Sequence, residues 1–190
     1  QQFTNTNVKL SGYFRSGNNL EWNAGIGMTQ NKTYKYGYEP QTLVFNPDSI
    51  KQNFQTIAGR LAFHNINKTE FGLTYSPEVK IDVFSDNHDN SESNTVVNLP
   101  LQKTIGKEFI VNLGITFDLT RVSPKSKSAI NNTMYYISPS VLYKTKNINV
   151  QAGIRPSWDN RTFKMFPNIL ADISSNDSRF TFQAGWTGYV

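Results

Sequence analysis

About ten stretches of this chain alternate apolar and polar residues with a period of two, and no other feature constrains its fold as tightly. Successive side chains of a β-strand point to opposite faces, so each stretch specifies a strand with one apolar and one polar face. FIVNLGITFDLT is the cleanest: Phe109, Val111, Leu113, Ile115, Phe117 and Leu119 oppose Asn112, Gly114, Thr116, Asp118 and Thr120. LEWNAGIGMT sets Leu20, Trp22, Ala24, Ile26 and Met28 against Glu21, Asn23, Gly25, Gly27 and Thr29. EFGLTYSPEVKIDVF reads as one long run, with Phe71, Leu73, Tyr75, Val79, Ile81 and Val83 sharing a parity across Pro77. NVKLSGYFRS, TIAGRLAFH, TVVNLPLQK, YYISPSVLYK, INVQAGIRPS, FKMFPNILADIS and FTFQAGWTGYV follow the same rule, and no segment has a helical period.

The stretches run about 9 to 15 residues, longer than the mode of about 5 or 6 in soluble sheets and matching the roughly 9 to 11 of a tilted bilayer span. Their connections alternate between short (SGNN, NINK, TIGKE, KTKN, SSNDS) and longer (the Tyr-rich segment after Gln30, SDNHDNSES, RVSPKSKSAINN, with WDNRT between). Outer-membrane barrels alternate short periplasmic turns with longer extracellular loops. The expected fold is therefore all-β: an antiparallel up-and-down transmembrane β-barrel of about ten strands, with residues 1–190 forming one barrel region. A soluble barrel turned inside out, with its apolar face in a dry core, has the same period. Phe14, Trp22, Phe109, Trp158 and Trp186, near segment ends, suit the aromatic girdles of the membrane form.

Composition removes several alternatives. No stretch approaches the roughly 18 apolar residues of a membrane-spanning helix. A mean hydropathy of −0.49 suits a barrel whose alternate residues face a polar lumen. With no cysteine there is neither a disulfide framework nor a thiolate metal site. The 19 Lys+Arg and 14 Asp+Glu are dispersed, which does not make a nucleic-acid footprint.

The polar parity supplies the candidate functional residues: Lys9, Arg15, Glu21, Arg60, Glu70, Glu78, Lys80, Asp82, Asp118, Arg155, Asp172 and Arg179, all expected to face the lumen. Both signs are interspersed, which implies cross-lumen pairing, an unselective pore or contacts to a plug, since a selective constriction shows one dominant sign. Tyr34, Tyr36 and Tyr38 in the long outer connection, and His88 in SDNHDNSES, are candidates for extracellular binding. Asp86, His88, Asp89 and Glu92 lack the spacing and glycine of an EF-hand, so no metal is assigned. No catalytic constellation or cofactor motif is present, and the chain reads as a non-enzyme.

GNNLEWNAGIGMTQNKTY, IRPSWDNRTFKMFPNILADI and FTFQAGWTGY resemble the barrel region of TonB-dependent-receptor-like outer-membrane proteins of Gram-negative bacteria. The resemblance implies an outer-membrane location, contact with lipid, and passage or gating of solutes, with a plug domain or other envelope proteins as partners. An energy-coupling box and a plug are not found in these residues. If the short turns are periplasmic, both chain ends fall on the extracellular side, and the expectation is an internal part of a larger barrel. Two other functions fit the same pattern: a barrel that only anchors loops for adhesion, and a soluble ligand-binding barrel.

Overall fold

A computed structural model describes residues 3–34, 50–177 and 179–188. The strands are β1 (Thr4–Ser16), β2 (Leu20–Tyr34), β3 (Lys51–Asn65), β4 (Leu73–Tyr75), β5 (Glu78–Asp86), β6 (Ser91–Ile105), β7 (Phe109–Ser123), β8 (Ile130–Lys144), β9 (Ile148–Asp159), β10 (Thr162–Ser174) and β11 (Thr181–Thr187). They form a single antiparallel sheet in the order β1-β2-β3-β5-β6-β7-β8-β9-β10-β11, with β4 beside β6. Apart from the short β4, which the β3–β5 pairing bypasses, each strand hydrogen-bonds to its neighbours in sequence, which is the expected up-and-down meander. The expected closure is not present: β1 and β11 are the two margins of an open sheet.

The registers carry the two parities across the sheet without a slip. Leu10 faces Ile26, Ile26 faces Gly59, and Phe14, Trp22 and Phe63 form one cross-strand row. A one-residue slip anywhere would exchange the faces. The resulting burial is the reverse of a soluble domain's. Among the described residues no hydrophobic side chain is buried, and the four buried residues are Asn65, Ser140, Ser157 and Asn168. Leu10 and Trp186 are 72% and 69% exposed, whereas Ser157 is fully covered. The polar face is concave: His64 on β3 and Asn168 on β10 line the same hollow.

Three local readings of the sequence need correction. EFGLTYSPEVKIDVF is not one strand, because Glu70, Phe71 and Gly72 lie in a turn and the pairing restarts after Pro77. Thr69 closes that turn: its N–H donates to the Leu73 carbonyl, its hydroxyl accepts from the Leu73 N–H, and Gly72 has φ +73°. The side chain of Asn65 then replaces a ladder between β3 and β4, accepting from the Tyr75 N–H at 2.7 Å and donating to the Leu73 carbonyl at 2.9 Å. SDNHDNSES is not a long loop: β5 reaches Asp86, β6 starts at Ser91, and the Asp86 carboxylate accepts from the N–H groups of His88 and Asn90. WDNRT likewise tightens to residues 160–161, both at positive φ (46° and 78°), the conformation a two-residue primed hairpin turn requires. The strict alternation of short and long connections therefore does not hold. Residues 66–72, 175–177 and 179–180 lie at the end expected to carry only short turns, and 87–90 and 160–161 at the other.

Proline shapes the sheet in its second half. The β8–β9 ladder runs from Met134–Asp159 to Tyr136–Ser157 and resumes at Ser140–Gly153. Pro139 and Pro156 fall inside that gap, and neither has an N–H to donate. Immediately beyond it the two strands approach closely: a Cβ on Gly153 would lie 2.5 Å from the Pro139 carbonyl oxygen and 2.6 Å from the Ser140 Cβ. Only glycine fits there.

Candidate functional site

The candidate site is the concave polar face, whose two halves differ in chemistry. On β1 to β5 the charges pair locally. Arg15 donates through Nε to Glu21 at 2.9 Å, and His64 lies 3.9 Å from the other oxygen of the same carboxylate. Glu78 accepts from Arg60 Nε at 2.6 Å and from Lys80 Nζ at 2.9 Å. The three cations are about half exposed or more, and exposed pairs of this kind are worth roughly 0 to 1 kcal/mol each. Their consequence is electrostatic: Arg15, Arg60 and Lys80 each have a carboxylate within contact distance, so both signs are interleaved along this wall. Asp82 and Lys9 flank a smaller hollow whose floor is Gly25, Gly27 and Ala58.

On β6 to β11 the face is mostly uncharged. Asp118 accepts from Asn94 Nδ2 at 2.7 Å and from the Thr120 hydroxyl at 3.2 Å, and the Thr116 hydroxyl donates to Asn98 at 2.9 Å. Asp172 accepts from Asn149 Nδ2 at 3.2 Å. Arg155 spans the proline gap: its Nε donates to the Ser138 hydroxyl at 3.1 Å, its guanidinium lies 5.1 Å from the centre of the Tyr136 ring, and Nη1 reaches the Gly188 carbonyl at 3.5 Å. Below this level, towards the turns 106–108 and 145–147, opens a concave space of about 720 Å³.

Ten of the twelve lumen candidates occupy the polar parity of their strands. Glu70 and Arg179 do not: Glu70 is in the turn 66–72, and Arg179 lies between β10 and β11, bonded to Asp177 at 3.2 Å. Among the outer candidates, Tyr34 ends β2 opposite Lys51, and His88 sits in the tight turn held by Asp86. Lys125 joins that rim from the connection 124–129, and the hydrogen bond from its ammonium to the Asp89 carboxylate, 2.8 Å, raises its pKa above the ordinary lysine value. Tyr36 and Tyr38 lie outside the described residues. Two phenylalanines were not anticipated on the polar face: Phe54 and Phe84 stack at 6.0 Å on the inner side near that rim.

The opposite, apolar face carries two aromatic clusters. Phe14, Trp22, Phe63 and Tyr75 join ring to ring across β1 to β4, with Phe109 and Tyr143 at the same end of the sheet. Phe117, Tyr135, Trp158 and Phe163 form the second cluster at the other end, across β7 to β10. On β7 and β8 the clusters are eight positions apart, 109 to 117 and 135 to 143. At ~3.4 Å per residue that is about 27 Å along the strand, or about 20 Å in height at a tilt of ~40°.

No family model matches the chain, and no curated protein matches it. No helix of the described residues is long and apolar enough to cross a membrane, and among them no group of three or more His, Asp or Glu could hold a metal ion.

Proposed function

We propose that this sheet is part of the wall of an outer-membrane β-barrel, its apolar face against lipid and its polar face lining a path for solutes. The inverted burial carries the reading. In water, a face that exposes Leu10, Ile26, Leu61, Ile81, Val111, Ile154 and Phe182 forgoes the hydrophobic stabilisation that normally offsets chain entropy. In lipid the same face is solvated, and the aromatic clusters mark its two margins at a separation close to the ~25 Å apolar band of such barrels. The likeness to TonB-dependent-receptor-like barrels supports a receptor or transporter role, with a plug as partner. Free backbone N–H and C=O groups cannot face hydrocarbon, so the reading requires the outer edges of β1 and β11 to be paired in the membrane.

Trp22, Trp158 and Trp186, the three tryptophans of these 190 residues, all lie on the apolar face and report on this reading once any tryptophan elsewhere in the full-length protein is replaced by Phe. In vesicles whose lipids are brominated along the acyl chain, tryptophan fluorescence of the full-length protein is expected to fall by more than half, while aqueous iodide has little effect. Strong iodide quenching with no response to bromolipid would show that the aromatic face is wet and the reading wrong.

A further inference from the structure

One cross-strand row of the polar face is distinct from the rest. It runs Thr74, Gln102, Asn112, Ser140, Gly153, Asn168 and Thr187 over β4 and β6 to β11, each residue the register partner of the next. It contains no charge, and Lys, Arg, Asp and Glu are absent from the whole lining of the 720 Å³ recess that it crosses. The same side-chain types nearer the rim are used up within the protein, as Asn94 with Asp118 and Thr120, and Asn98 with Thr116, show. In the recess Asn65, Ser138 and the Thr74–Gln102 pair are engaged in the same way, but four others are not. Asn112, Ser140, Gln151 and Asn168 make no side-chain hydrogen bond to the described residues, although Ser140 and Asn168 are only 6% and 9% exposed. Their polar atoms still reach open space, since none is among the enclosed groups left without a partner.

Amides and hydroxyls held in place by a rigid sheet, each offering both a donor and an acceptor, are the chemistry that recognises a neutral, hydroxyl-rich solute. Apart from His64, which lies beside Glu21 at one edge, a carboxylate or ammonium ligand would find no counter-charge in this lining, and an apolar ligand would strand the amides. The volume lies within the ~300 to 1,000 Å³ range of small-ligand sites. We infer that this recess is a binding subsite for a neutral oligosaccharide on the solute path. The inference rests on the membrane-wall reading above and names the class of solute.

The test uses the full-length protein in detergent micelles, titrated calorimetrically with maltotriose, cellotriose and raffinose, and with trigalacturonate as an anionic trisaccharide. At least one neutral sugar is expected to bind, about tenfold or more tighter than trigalacturonate. Asn112→Asp and Gln151→Glu, which replace donor amides by acceptor-only carboxylates, are each expected to weaken that binding about tenfold. Asn94→Asp, in the internally bonded cluster, is expected to leave it unchanged. Binding by none of the neutral sugars, with bromolipid quenching intact, overturns the inference and leaves the membrane reading in place. Equal weakening by Asn94→Asp overturns it too, by showing no role for the row. Failure of the bromolipid result overturns both.

Discussion

Leu113→Arg is expected to cost about 2 to 4 kcal/mol of stability in lipid vesicles, whereas Asn112→Arg, one residue away, is expected to stay within about 0.5 kcal/mol. Leu113 lies midway between Phe109 and Phe117 on β7, with Leu101 and Pro139 as its register partners on the apolar face. If the aromatic clusters mark the two membrane interfaces, position 113 sits near the bilayer midplane, where a guanidinium is most expensive. Asn112 points into the recess, where water solvates an added charge. Against a total stability of about 5 to 15 kcal/mol, the first change removes a large share and the second almost none. Urea titration of both variants folded into vesicles measures the difference. Equal costs would mean that the two faces of β7 see the same medium.

The second large effect is local and does not depend on lipid. Gly153→Val is expected to destabilise the sheet by about 3 kcal/mol, the upper part of the usual range for overpacking. The added Cβ would meet a backbone carbonyl, that of Pro139, at 2.5 Å, and backbone cannot swing aside as a side-chain end can. Relief requires β8 and β9 to separate where the prolines have already thinned their ladder. Gly114→Val serves as the comparison, since its nearest neighbour is the Ser138 Cβ at 3.7 Å, an ordinary contact. A cost for Gly153→Val no greater than for Gly114→Val, by the same urea titration, would show that the strands are not locked at that approach.

Strand identity and facing were legible in the sequence because parity is a long-range signal that survives individual exceptions. Lys9, Glu21, Arg60, Lys80, Asp118 and Asp172 could all be placed on the polar side from alternation alone, and all lie there. Glu70 was misplaced because Phe71, Leu73 and Tyr75 continue the rhythm through a turn that Thr69 and Gly72 actually make. Asp86 and Ser91 read as loop in the sequence because both faces of a strand turn polar near the rim, so alternation vanishes while backbone pairing continues. The recess row is silent in the sequence for a different reason. Charged residues draw attention in a sequence, but the unspent hydrogen-bonding capacity of Asn112, Ser140, Gln151 and Asn168 appears only once their neighbours are known. Closure of the sheet is also invisible to alternation, which describes each strand and its facing but not what lies beyond β1 or β11.

Which face of a strand meets lipid decides between a membrane wall and a wet sheet, and it is directly measurable because these 190 residues contain no cysteine to compete with an introduced one. Single cysteines placed from 111 to 118 along β7 of the full-length protein in vesicles would each be challenged with a charged, membrane-impermeant maleimide. Positions Asn112, Gly114, Thr116 and Asp118 are expected to label, while Val111, Leu113, Ile115 and Phe117 stay protected until the vesicles are dissolved and the protein is unfolded in denaturant. Labelling of the odd positions, or of all positions equally, would contradict a membrane wall.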